Sequence, residues 1–139
     1  FHMPAKQDTR SLSSVGRISL TTEKPTNRSI VGMLMFVEGE FAYDDVVTFV
    51  KQRIMPKFSR FSSAVTPSFK FLPLPEYDCS PHISIFEAPK GMDNEENLHT
   101  LLSPLQNEPL DPTRPLWDLH IVHLQSENKT VLYWRIHHC

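Results

Sequence analysis

Two runs of apolar and β-branched residues flank a short polar link late in the chain, and they require a sheet. Residues 116–124 read Leu-Trp-Asp-Leu-His-Ile-Val-His-Leu, and residues 130–138 read Thr-Val-Leu-Tyr-Trp-Arg-Ile-His-His. Branched and aromatic side chains suit a pleated, half-buried surface. Gln125-Ser126-Glu127-Asn128-Lys129 between them makes a hairpin connection. A chain that contains this pair is not a helical bundle, and the 12 prolines that punctuate its linkers reinforce that exclusion.

Other segments supply the remaining layers. Residues 29–38 form a continuous apolar run that predicts a buried strand, closed by a turn at Gly39. Residues 69–72 and 82–88 predict two more strands. In the second, Ile83 and Ile85 face one way and Phe86 and Ala88 the other. A helix is expected over 43–55, with Asp44 and Asp45 at its positive end and Val46, Phe49, Val50 and Ile54 at helical spacing, stopped by Pro56. A second helix follows the turn Pro89-Lys90-Gly91 and runs from about 94 to 105, with Leu98, Leu101, Leu102 and Leu105 on one side. Residues 1–28 are rich in Ser, Thr, Lys and Arg and read as an irregular arm. The expected fold class is α/β (α+β): a mixed sheet flanked by helices.

Composition narrows the function. Hydrophobic residues are 40%, charged residues 22% and the formal net charge is −2, which describes a globular domain with no basic nucleic-acid footprint. The two cysteines, Cys79 and Cys139, set no disulfide framework. Cys79 reads as a small hydrophobe rather than a nucleophile. The apolar stretch 30–37 is too short to span a bilayer.

The chemistry concentrates at the end of the last strand, in His137 and His138. Strand alternation places His138 with Leu132, Trp134 and Ile136, and His137 with Val131, Tyr133 and Arg135. A histidine at the end of an apolar row is held neutral by desolvation and is ready to act as a base. A strand-end histidine is, more often than not, an ordinary hydrogen-bonded or surface residue. Metal binding does not fit: His137, His138 and Cys139 are consecutive, and His120 and His123 fall on opposite faces of a strand.

The histidine pair acquires meaning from what precedes it. Residues 109–117 read Pro109-Leu110-Asp111-Pro112-Thr113-Arg114-Pro115-Leu116-Trp117, and the alternating strand pair and Ile136-His137-His138 follow. This order resembles the wax ester synthase/diacylglycerol acyltransferase family of the coenzyme-A-dependent acyltransferase superfamily. That family carries Pro-Leu-Asp-x-x-Arg-Pro-Leu-Trp and a motif of two histidines, three variable residues and Asp-Gly. Met55-Pro56-Lys57-Phe58-Ser59-Arg60-Phe61 also looks like its proline–arginine–phenylalanine stretch. The resemblance covers residues 30–139, and it departs from the motif at the end, where the Asp-Gly portion is missing.

Several expectations follow from the resemblance. The fold would be the N-terminal half of a chloramphenicol-acetyltransferase-like two-subdomain structure, over residues 29–139. The chain would be a piece of an enzyme, cut inside its histidine motif and inactive alone, with the C-terminal half of the same protein as its missing partner. The full-length protein would transfer a fatty acyl group from acyl-CoA, a co-substrate rather than a cofactor, to a long-chain alcohol or diacylglycerol. His138 would be the base and His137 its motif neighbour. Trp134 and Ile136 would line an acyl tunnel or simply pack in the core. Pro109, Leu110, Asp111, Arg114, Pro115, Leu116 and Trp117 would be scaffold, with an Arg114–Asp111 pair and a buried Trp117. The setting would be a membrane or lipid-droplet surface, the cytoplasmic side of the endoplasmic reticulum in a eukaryote. The alternatives are another histidine-motif acyltransferase, such as a condensation domain, and a non-catalytic remnant that binds a lipid or partner.

Overall fold

The computed structural model describes residues 9–139. Its centre is a four-stranded mixed sheet built around the predicted hairpin. β6 (Trp117–Leu124) and β7 (Lys129–His137) pair antiparallel, with Trp117 opposite Ile136 and Leu124 opposite Lys129. Asn128 closes the connection in a left-handed conformation at φ 49°, which Asn tolerates better than other side chains with a Cβ. β2 (Ile30–Glu38) pairs antiparallel with β7, and β5 (Ile83–Ile85) pairs parallel with β6, giving the order β2-β7-β6-β5.

The two faces of this sheet bury different clusters. Leu119, Ile121, Leu132 and Trp134 meet Val46, Val47 and Val50, together with Phe61, Cys79 and Ile83. The three valines come from α2 (Tyr43–Phe49) and the π-helical turn that continues it over Val50–Ile54. On the opposite face, Val122, Leu124, Val131 and Tyr133 meet Leu98, Leu101 and Leu102 of α3 (Leu98–Gln106). Alternation along β6 and β7 therefore yields a helix–sheet–helix sandwich, with each strand apolar on both sides.

Local chemistry fixes the helix ends. Asp45 Oδ2 accepts from the Ala42 N–H at 3.2 Å at the start of α2. At the far end the Met55 N–H bonds Val50 O at 3.0 Å, the wider π spacing, just ahead of Pro56. Asn94 Oδ1 accepts from the Asn97 N–H at 3.1 Å and starts a 3₁₀ turn that leads into α3.

A second, antiparallel sheet lies beside the first, in the order β1 (Arg10–Ser11), β4 (Lys70–Pro73), β3 (Ser63–Val65). The mixed architecture is the one the sequence predicts, with three corrections. Within the stretch expected to be an irregular arm, α1 (Ser14–Thr21) forms, capped by Ser13 Oγ on the Gly16 N–H at 3.0 Å. The first eight residues of that stretch lie outside the described residues. The strand expected over 82–88 is short: His82 closes a 3₁₀ turn, although Phe86 still donates to Ile121 O at 2.8 Å. Finally, β2 is not buried. Val31, Met33, Leu34 and Phe36 are 43–53% exposed, because β2 is an edge strand and the helices cover the middle of the sheet. Gly32 lets the Tyr133 ring lie against β2, since a Cβ there would come within 3.0 Å of it.

Candidate active site

The signature segment and the histidine pair meet through the backbone. The His137 N–H donates to Leu116 O at 3.0 Å, which ties the end of β7 to the entrance of β6. The His138 N–H donates to Ser29 O at 2.7 Å, just ahead of β2. Arg60 Nη2 donates to the His137 carbonyl at 3.0 Å. The strand end is thus clamped from three segments that are distant in sequence.

The two side chains have opposite surroundings. His138 is exposed. His137 is 2% exposed, and its Nε2 lies 3.2 Å from Glu23 Oε2 in the segment after α1. Burial pushes the His137 imidazole below its usual pKa, and the Glu23 bond offsets part of that. Its Nδ1 is buried with no partner among the described residues.

Residues 109–117 wrap a cavity of about 590 Å³. Pro109, Leu110, Pro112, Thr113 and Leu116 line one side, and His137 and Glu23 contribute to the wall. Asp111 Oδ1 accepts from the Thr113 N–H at 2.9 Å and its hydroxyl at 2.6 Å, holding the turn. These bonds draw the exposed Asp111 carboxyl below its usual pKa. Arg114 stands 3.8 Å from Asp111 Oδ2, a partly exposed pair that adds little energy. Pro115 and Trp117 are buried, and the Trp117 indole donates to Phe61 O at 2.9 Å. Trp134 packs in the core 5.8 Å from both Phe61 and Trp117. Ile136 borders a gap of about 10 Å³ with Arg60 and Cys139.

Three polar elements escape simple pattern reading. Arg135 is 1% exposed and makes a bidentate contact with Asp118, Nε to Oδ1 at 2.9 Å and Nη2 to Oδ2 at 3.0 Å. Its Nη1 donates to the carbonyls of Leu105 and Glu108, where α3 ends. A buried arginine here caps the helix and satisfies carbonyls the helix leaves open. Burial alone would raise the Asp118 carboxyl, but bonds from His120 and Arg135 and the Arg135 charge bring it below its usual pKa.

His82, also buried, stacks on Trp117 with ring centroids 4.4 Å apart. Its Nδ1 donates to Trp117 O at 2.7 Å, which leaves Nε2 to accept from the Tyr77 hydroxyl at 2.5 Å. Burial lowers its pKa, and the bond to Trp117 O partly opposes this. Arg60 is the third element. The Arg–Phe pair at 60–61 was visible as part of a motif, but its grip on the His137 carbonyl depends on a contact across 77 positions. Cys79 is fully buried in the core, and burial pushes its thiol pKa up. Among the described residues, no cluster of three or more His, Cys, Asp or Glu could hold a metal ion.

Comparison with known proteins defines the class. The fold matches a wax ester synthase/diacylglycerol acyltransferase from Marinobacter aquaeolei VT8, with a TM-score of 0.71 at 20% identity over 93% of this chain and 34% of that one. It also matches the starter condensation domain of rhizomide synthetase, with a TM-score of 0.66 at 14% identity over 94% of this chain and 34% of that one. In sequence, a probable diacylglycerol O-acyltransferase (tgs3) of Mycobacterium tuberculosis is 28% identical over 116 residues, 77% of this chain and 42% of the relative. A putative diacylglycerol O-acyltransferase (Rv3371) of the same organism is 27% identical over 112 residues, 78% of this chain and 24% of the relative. The family model for the wax ester synthase/diacylglycerol acyltransferase catalytic domain matches residues 42–139, and the chain belongs to that family. It spans less than half the length of these relatives.

Proposed function

We propose that this chain is the N-terminal part, over residues 29–139, of an acyltransferase that moves a fatty acyl group from acyl-CoA to the hydroxyl of a long-chain alcohol or diacylglycerol. One observation carries the reading: the Pro109–Trp117 signature and the histidine pair form one unit, joined by the His137 N–H to Leu116 O bond. The names of the relatives support the same activity. A condensation-domain neighbour solved with C8-CoA supports a CoA thioester as donor. The signature at 109–117 favours the lipid reaction over condensation.

In this mechanism His138 is the general base, because its side chain is open while His137 is committed to Glu23. His138 takes the acceptor's hydroxyl proton as that oxygen attacks the thioester carbonyl. The tetrahedral intermediate expels CoA thiolate, and the imidazolium returns the proton to sulfur. The products are an ester and CoA–SH, with no acyl-enzyme between. Arg60, Leu116 and Ser29 hold the backbone that carries the base, and holding a base in place contributes to the rate. Trp134 packs in the core behind the strand end, and Ile136 borders only the small gap beside Arg60. The rest of the protein closes the site, so residues 1–139 alone do not turn over substrate.

Such acceptors partition into lipid, and the reaction takes place at a membrane or lipid-droplet surface. Among the described residues, no helix is long and apolar enough to cross a membrane. The test is to incubate the full-length protein with labelled palmitoyl-CoA and either hexadecanol or diacylglycerol. The expected result is ester formed with equimolar CoA release and no labelled protein when the reaction is quenched before the acceptor is added. Label trapped on protein, or no ester from either acceptor, contradicts the reading.

A further inference from the structure

On the face of the sheet that α3 covers, a cavity of about 490 Å³ opens between β2 and α3, and neither histidine of the pair lines it. Ile30 and Leu34 of β2 and Leu98 and Leu102 of α3 form its apolar part. Arg28, His99 and Tyr133 stand among its polar members, and no Asp or Glu lines it. An apolar pocket with a few convergent polar groups is the usual form of a small-molecule site. A wall that holds a guanidinium and no carboxylate selects for an anion.

Two of those polar groups have donors to spare. Tyr133 is 4% exposed, yet its hydroxyl makes no hydrogen bond among the described residues. A Cβ at Gly32 would lie 3.0 Å from that oxygen, so the glycine leaves it uncovered on the cavity side. Burial pushes the Tyr133 hydroxyl above its usual pKa, which keeps it protonated and able to donate. The Arg28 side chain is 23% exposed, and its Nη1 stands 4.0 Å from Glu23 Oε1, too far for a hydrogen bond. The Arg28 Nε is shut away from solvent, so recognition of a ligand falls to the two Nη groups.

We propose that this cavity binds a single-chain carboxylate amphiphile, such as a free fatty acid. Its carboxylate accepts from Arg28 Nη and the Tyr133 hydroxyl, and its tail lies along Leu34, Leu98 and Leu102. One guanidinium beside a neutral donor matches one negative charge, which favours a carboxylate over a phosphate dianion. The site is distinct from the histidine pair and stands without the acyl-transfer reading.

The probes are decanoate, 1-decanol, which keeps the tail without the charge, and acetate, which keeps the charge without the tail. Binding is followed by calorimetry on the full-length protein carrying His138→Ala and saturated with palmitoyl-CoA, so that the reaction site is filled and idle. Decanoate is expected to bind at least about tenfold more tightly than decanol, the effect of hydrogen bonds to a charged group, and at least about a hundredfold more tightly than acetate. Adding Tyr133→Phe, which keeps the ring and its packing, or Arg28→Gln is expected to weaken decanoate at least about tenfold. Decanol binding as tight as decanoate overturns the proposal without relying on either added variant. So does decanoate affinity that stays within about threefold in Tyr133→Phe or Arg28→Gln. Ester formation by the wild-type protein is scored separately, so loss of the acyl-transfer reading leaves this result standing and the reverse also holds.

Discussion

Arg60 donates from Nη2 to the main-chain carbonyl of His137 at 3.0 Å, so a side chain just beyond the π-helical turn fixes the end of β7 where the histidine pair sits. Arg60→Ala removes this bond while Phe61 still receives the Trp117 indole. In the proposed mechanism Arg60 does not touch substrate, and the loss should fall on kcat rather than KM. The expected effect is a fall in kcat of about tenfold to a hundredfold, the scale of a misplaced catalytic group. Steady-state kinetics of the full-length protein measures this. A change confined to KM would show that the clamp has no part in placing the base.

Breaking the buried Asp118–Arg135 pair should be costly. Asp118→Asn leaves a guanidinium that is 1% exposed beside a neutral partner. Removing one member of such a pair costs about 3–5 kcal/mol. Urea unfolding should show the midpoint fall by a matching amount, and Asp118→Asn combined with Arg135→Met should recover part of it. The pH dependence has the same origin. The folded-state pKa of Asp118 is lowered, so the pair's contribution is present above the ordinary carboxyl value of 3.8 and is lost as pH falls through the lower folded value. Unfolding midpoints should drop steeply below that point in the wild-type protein and more gently in Asp118→Asn.

His82 should stay neutral as the solution is acidified through its ordinary pKa of 6.5. Its folded-state pKa is depressed, so it contributes stability above 6.5 that disappears as pH falls through the folded value. Nitrogen chemical shifts should report the Nδ1–H tautomer, bonded to Trp117 O, as the major form when the solution reaches the ordinary value of 6.5. A free titration midpoint at 6.5 would contradict the buried stack on Trp117.

Gly32→Ala brings a methyl to within 3.0 Å of the Tyr133 ring. Overpacking of this kind costs about 1–3 kcal/mol, read as a lower unfolding midpoint. Adding Tyr133→Leu should relieve the clash, and a double variant no more stable than Gly32→Ala would show that β2 responds to something else.

The sequence made the central hairpin legible because two long alternating runs leave few other folds. It also gave the α2 start through Asp44 and Asp45, and the inert burial of Cys79. What it hid depends on contacts between distant positions. The edge placement of β2 could not be read, since its apolar run looks the same whether or not a neighbour covers it. α1 carries no strong periodicity and is fixed by one serine cap. At the site, the histidine pair and the 109–117 segment could be found by pattern. Glu23, 114 positions from His137, has no local signal at all. Nor does the Arg135 cap, because arginine in an alternating strand normally reads as a solvent-facing residue.

The most direct test of the account is the turnover of the full-length protein carrying His138→Ala, with palmitoyl-CoA and its better acceptor, after circular dichroism has shown the fold intact. The account predicts a fall in kcat of about 10²–10⁴-fold, the usual contribution of a positioned base, with KM for palmitoyl-CoA nearly unchanged. Turnover within a fewfold of wild type would contradict it and move the base away from His138.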